Sequence, residues 1–145
     1  MMPVCRIVVP MSYSRIALAA LGGTVAYFLL GSIIFVLVPA MKREFQKYSA
    51  LHRAEDDMKR VMPIALLSTY VAIFVMTVLF AMAYPAAHTT ANGAWFGALI
   101  GVFAVCGFAV HNYVTLNIGF RLTAMEAAGY FIEWVAAGVV VALIY

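Results

Sequence analysis

Two carboxylates stand where carboxylates are costly. Glu126 and Glu133 lie in the stretch 122–145, LTAMEAAGYFIEWVAAGVVVALIY, which carries no other charged residue. The only other acids in the chain fall between Glu44 and Asp57. Acids at membrane depth serve in transport, as steps in proton relays, or as hydrogen-bonding partners between helices. Seven residues is nearly two helical turns, so both side chains leave one face, with Gly129 between them. That spacing also sets them about 11 Å apart along the helix axis, too far for direct cooperation as a catalytic pair. Three further polar side chains belong to the same inventory. His111 and Asn112 come late in the preceding apolar run, and Tyr27 lies near the middle of the first.

Depth along the helices assigns expected partners. At about 1.5 Å per residue, His111 and Glu126 both come roughly 6–8 Å below the basic ends of consecutive antiparallel helices, which makes a His111–Glu126 contact expected. Glu133 comes roughly 16 Å deep, near the midplane. A charge there is expensive, so Glu133 is expected to face the bundle interior and to hydrogen-bond a hydroxyl such as that of Tyr27, Tyr70 or Thr77. A second pattern is the series Gly93, Gly97 and Gly101, continued by Ala104. Small residues at this spacing let helix backbones approach closely, within one bundle or between proteins. His111 follows Gly93 by five turns and is expected on the same side of that helix. Gly107, four residues before His111, leaves room for a flat macrocycle on the imidazole, so His111 is also a candidate tetrapyrrole ligand.

These residues need helices that cross a bilayer, and the composition requires the bilayer. The chain has 145 residues, of which 66% are hydrophobic and 10% charged. Soluble domains carry about 25% charged residues, and this chain has too few to cover a globule facing water. Four runs reach the roughly 20 residues that spanning takes. They lie at about 15–38, 63–84, 93–116 and 122–145, in a single membrane domain with a polar connection at 39–62. The sixty residues 61–120 contain no Asp, Glu, Lys or Arg and must fold as a pair, broken at Tyr84-Pro85 and around His88 to Gly93. Pro39 is expected to end the first span and Pro63 to stand near the start of the second. The predicted fold is therefore all-α: four transmembrane helices in an antiparallel up-down bundle.

Within the polar connection, Met41, Phe45, Tyr48, Leu51 and Met58 recur at helical intervals, the pattern of an amphipathic helix lying at the interface. The alternative is a solvated connector with a helical stub. Lys42, Arg43, Lys47, Arg53, Lys59 and Arg60 share this connection, and Arg121 falls in the third, on the same side of the membrane. The opposite side holds Arg6 and Arg15, so the basic loop is expected in the cytoplasm and both termini outside. Tyr13, Tyr84, Trp95 and Tyr145 then form an outer aromatic belt. The net charge of +3 is concentrated in a loop that also holds acids, which reads as membrane orientation and not as nucleic-acid binding. Met11 is an alternative start, and no secretory signal is read in the lead. Cys5 and Cys106 define no disulfide framework, and Cys106 is expected as an inert core residue. No Ser/His/Asp set, metal-ligand spacing or Gly-rich phosphate loop is visible, so no enzyme activity and no metal are expected.

The segments YSALHR at 48–53, NYVTLNIG at 112–119 and GYFIEW at 129–134, with a Gly…Tyr ending, resemble a family of small four-span bacterial inner-membrane proteins of unknown function. The resemblance covers most of the chain from about Ser12. It implies the four-helix topology and a bacterial source, and assigns no residue a role. The expected function is an accessory or scaffolding subunit that packs against other membrane helices, in a respiratory or photosynthetic complex or as a homo-oligomer. The alternative is a small proton-coupled transporter or hydrophobic-ligand binder using Glu126, Glu133 and His111. Pigment binding at His111 is a third.

Overall fold

A computed structural model describes residues 12–51, 53–85 and 88–145. The cysteine at 5, the arginine at 6, the alternative start at Met11 and the histidine at 52 lie outside the described residues. Helix α1 runs Tyr13–Leu37, α2 Pro39–Lys47, α3 Glu55–Ala83 and α4 Thr90–Ala104. A π-helical segment, Val105–Val110, joins α4 to α5, His111–Thr115, and α6 runs Phe120–Ile144. Among the described residues there is no strand. Among the described residues four helices are long and apolar enough to cross a membrane: Tyr13–Leu37, Asp56–Ala83, Thr90–Thr115 and Phe120–Ile144. The protein is a multi-pass membrane protein built as an all-α four-helix bundle.

The residue distribution is that of a bundle in lipid. Outward faces carry the bulk, such as Leu18, Leu21, Val25 and Leu29 on α1 and Ile64, Leu67, Val71 and Val75 on α3. Inward faces are small: Ala19, Ala20 and Gly23 are buried on α1, and on α6 Ala137 lies beside Gly23 while Gly138 and Ala142 face Gly93 of α4. With lipid on the outside, close backbone approach and dispersion take over the role that water exclusion plays in soluble cores. Helix α6 lies between α1 and α4, and α3 packs on the other side of α1. Helices α3 and α4 complete the ring only near the end that holds the short connection 84–89. There the rings of Phe80 and Tyr84 lie 5.8 and 6.3 Å from Phe96.

Two boundaries differ from the sequence reading. Pro63 is not at a helix start: α3 begins at Glu55 and carries Pro63 inside it. Asp56 and Asp57 stand in its first turn, where the helix dipole favours negative charge, and eight residues of helix precede the proline. The periodic residues Met41 to Met58 do not form one interfacial helix. They are divided among α2, a single 3₁₀ turn at Ser49–Leu51 and the start of α3. Residues 48–54 contain neither glycine nor proline, so periodicity alone carried no mark of that break. Pro39 does follow the end of α1, one residue beyond the break at Val38, and starts α2 at its first position. The chain then doubles back, bringing Phe45 against Phe35 with ring centroids 6.0 Å apart.

A cleft between α1, α3 and α6

The glycine series is used within the chain. Gly93, Gly97, Gly101 and Ala104 are all buried. A Cβ built on Gly93 would run into the Gly138 carbonyl oxygen, one on Gly97 would meet the Trp134 carbonyl oxygen at 2.5 Å, and one on Gly101 would meet the Phe131 ring at 3.0 Å. Helices α4 and α6 therefore touch backbone to backbone along this seam.

The seam does not carry His111. Ala109 continues the buried stripe, and His111 is exposed. The π segment is the reason: a π turn inserts one extra residue, which rotates everything after it by roughly 100° against an unbroken α-helix. The five-turn count from Gly93 to His111 assumed a regular helix and was overturned by that one residue. Nor does His111 meet Glu126, since no hydrogen bond or ion pair joins them among the described residues. Glu126 turns the other way, into a cleft of about 230 Å³ under α2, lined also by Met41, Phe45 and Gly31. Gly107 has nothing within 4 Å of a built Cβ, so the surface beside His111 is open. Cys106 is exposed and not in the core: two residues past the buried Ala104, it points roughly 200° away from the buried stripe.

Glu133 is placed by α1. A Cβ built on Gly31 would stand 2.6 Å from Glu133 Oε1, so the missing side chain is what admits the carboxyl. The Tyr27 side chain, one helical turn away on α1, stands beside that carboxyl and within electrostatic reach of it. Thr77 and Tyr70, the other expected partners, are engaged elsewhere. Thr77 Oγ1 donates to the Ile73 carbonyl at 2.7 Å, and Tyr70 packs on Phe74. Tyr130, one turn before Glu133, lies between the two acids and within electrostatic reach of both. It was absent from the sequence inventory, although its place at i+4 from Glu126 and i−3 from Glu133 marks it on the same face.

Glu133 is half-buried, because the bundle is not closed around it. Helix α3 packs tightly from Ile73 onward, but residues 62–68 are exposed on every side of the helix. Toward the basic connection α3 therefore stands away from its neighbours. The gap is a cleft of about 560 Å³ bounded by Tyr27, Gly31 and Ser32 of α1, Ala65, Ser68 and Thr69 of α3, and Tyr130 and Glu133 of α6. A second lobe of about 420 Å³ reaches Ala104, Phe108 and Asn112 of the third span and Trp134 of α6. Tyr27, Ser68, Thr69 and Tyr130 line both lobes, and the Tyr27 ring rests edge-on against Trp134 at 5.4 Å. Of the five polar residues taken from the sequence, Tyr27, Glu133 and Asn112 line this double cleft, Glu126 lines the one beside it, and His111 lies outside both. Among the described residues no group of three or more His, Cys, Asp or Glu side chains is placed to hold a metal ion.

Comparison with protein-family models, with curated proteins and with solved structures returned no match.

Proposed function

We propose that this is a membrane-embedded binding protein of a bacterial inner membrane, with the basic connection in the cytoplasm and both termini periplasmic. Its ligand is amphiphilic, with an apolar body in the cleft and a cationic or hydrogen-bond-donating group against Glu133. The observation that carries this reading is the seating of the Glu133 carboxyl on Gly31, in a cleft that opens between helices. A carboxyl needed only to tie helices together would be enclosed by them. This one keeps an open side, with Tyr27 beside it. The two lobes have the size and largely apolar lining of small-molecule sites, with a few convergent polar groups. The glycine seam is filled by α6, so a docking partner of the accessory-subunit reading would use the lipid-facing surface.

The test uses a long-chain primary amine carrying a dansyl group, titrated into the purified full-length protein in mild detergent. Energy transfer from Trp134 to dansyl reports occupancy, with Trp134→Phe to assign the signal. Binding is expected to saturate and to weaken about tenfold or more in Glu133→Gln, the weight of one charge-assisted hydrogen bond. Equal affinity in both proteins, or partitioning that never saturates, overturns the proposal. A stoichiometric membrane partner that co-purifies and leaves the cleft unable to take the amine returns the accessory-subunit reading.

A further inference from the structure

A second site lies where α2 meets the start of α6, and its chemistry is the opposite of the cleft's. Glu44 is buried, at 5% exposure, although it sits in the most polar part of the chain. Its Oε1 accepts a hydrogen bond from Lys47 Nζ at 2.7 Å and forms an ion pair with Arg121 Nη1 at 3.2 Å. The partners are not buried with it: the side chains of Lys47 and Arg121 are 60% and 68% exposed. One enclosed carboxylate thus holds two solvent-facing cations, and because they share an oxygen they lie within roughly 6 Å of each other, a span that one phosphate can bridge. A hydrogen bond from the Gly119 amide to the Tyr48 hydroxyl, 2.8 Å long, fixes α2 to the turn before α6 and holds the arrangement together.

Arg43 supplies the third cation. It lines the same pocket, about 290 Å³ in volume and closed on its apolar side by Pro39 and Ala40, and it has no ion-pair partner among the described residues. Three cations against one carboxylate leave the pocket with a net charge of +2. Helix α6 adds to this, since its first turn holds Arg121 and no acid to offset the positive end of its dipole. The pocket also has a defined depth. Pro39 follows directly on the last turn of α1, and Arg121 is the second residue of α6. A bilayer spanned by these two helices would present its phosphates at this level.

We propose that this pocket binds a phosphate group, presented by an anionic lipid headgroup and held by Arg43, Lys47 and Arg121. The site is independent of the cleft, and its ligand is opposite in charge. Glu44 has a positioning role: it spaces two of the cations and leaves the third free for the ligand.

Nanodiscs of phosphatidylcholine containing a minority of phosphatidylglycerol provide the test, with lipid retention by the full-length chain read by native mass spectrometry. One phosphatidylglycerol per chain is expected to survive release, in preference to phosphatidylcholine. Arg43→Gln is expected to lower its retention about five-fold, the weight of one basic residue at an anionic surface. Arg43 takes no part in the Glu44 network, so this variant leaves the link between α2 and α6 in place. Lys42→Gln, one residue away and outside the pocket, is expected to change nothing. A second arm offers inorganic phosphate in purely neutral nanodiscs. Retention of phosphate there, without any lipid preference in the first arm, keeps the phosphate chemistry and overturns the lipid as its source. Equal retention of the two lipids with no phosphate bound, or equal effects of Arg43→Gln and Lys42→Gln, overturns the site.

Discussion

Gly31→Ala separates the two things that Gly31 does, which are to belong to a helix and to admit the Glu133 carboxyl. The added Cβ would stand 2.6 Å from Glu133 Oε1 and 3.2 Å from Cδ, where ordinary contact begins at 3.4 Å. The obstacle is the far end of a flexible side chain and not backbone, so the carboxyl swings aside and α1 stays in place. Losing a polar contact between helices, here that of Glu133 with Tyr27, costs about 0.6 kcal/mol, at most ~1.7, in a membrane interior. Replacing glycine by alanine inside a helix returns up to ~1 kcal/mol. The two nearly cancel, and the midpoint of unfolding is expected to shift little. Binding has no such compensation, because the carboxyl no longer points where the ligand's polar group sits, and amine affinity is expected to fall about tenfold. Gly129→Ala is the matched control: its Cβ would meet only Met41 Cε, at 4.0 Å, and affinity is expected to be unchanged. The decisive measurement is the double-mutant cycle with Glu133→Ala. In that background the Gly31→Ala substitution is expected to have no further effect on binding. A tenfold loss that persists without the carboxyl, or wild-type affinity in Gly31→Ala itself, refutes the geometry argued for the site.

Two further substitutions address the frame that holds the cleft. Gly138→Leu places a side chain on the Gly93 carbonyl oxygen, with the Gly97 Cα at 2.9 Å. Both are backbone, so α4 and α6 must part. A loss of at least about 1–3 kcal/mol is expected in denaturant titration, while Gly107→Leu, with nothing within 4 Å, is expected to be tolerated. Deleting Gly107 removes the extra residue of the π segment, which keeps the buried stripe in phase on both sides of the deletion. That protein is expected to fold and to keep Asn112 in the cleft, whereas deleting Leu99 from the regular part of α4 turns every later residue by roughly 100° and is expected to abolish folding. Retained folding after the Leu99 deletion would show that the seam does not set the register of the third span.

Much of the architecture was legible because it rests on local quantities. Runs of uncharged residues give four spans, small-residue spacing marks a close-approach face, and Pro39 marks the end of α1. The errors share one cause, which is a local irregularity without a composition signal. The π segment, VCGFAV, looks like any apolar helix, yet it moved His111 off the buried stripe. Pro63 looked like a helix start because the acids that open α3 lie eight residues earlier, in a stretch that also reads as loop. The Tyr27–Glu133 pairing was one of three named options. Choosing among them required knowing which face of α1 is turned to α6, and the low amphipathicity of an all-apolar helix does not carry that information.

The sequence by itself determined that this protein lives in a bilayer and crosses it four times, because the cost of exposing so much apolar surface to water, and of leaving backbone polar groups unpaired in lipid, is a sum over residues and needs no fold to evaluate. It also determined that Glu126 and Glu133 share a face, because helical geometry alone places them there. Only the tertiary structure decided what that face meets. Helix α3 leans away from the bundle, Gly31 has no side chain, and α2 folds back over Glu126. These are relations between residues far apart in the chain, set by how four helices divide limited packing surface, and they turn two isolated acids into the walls of a cleft.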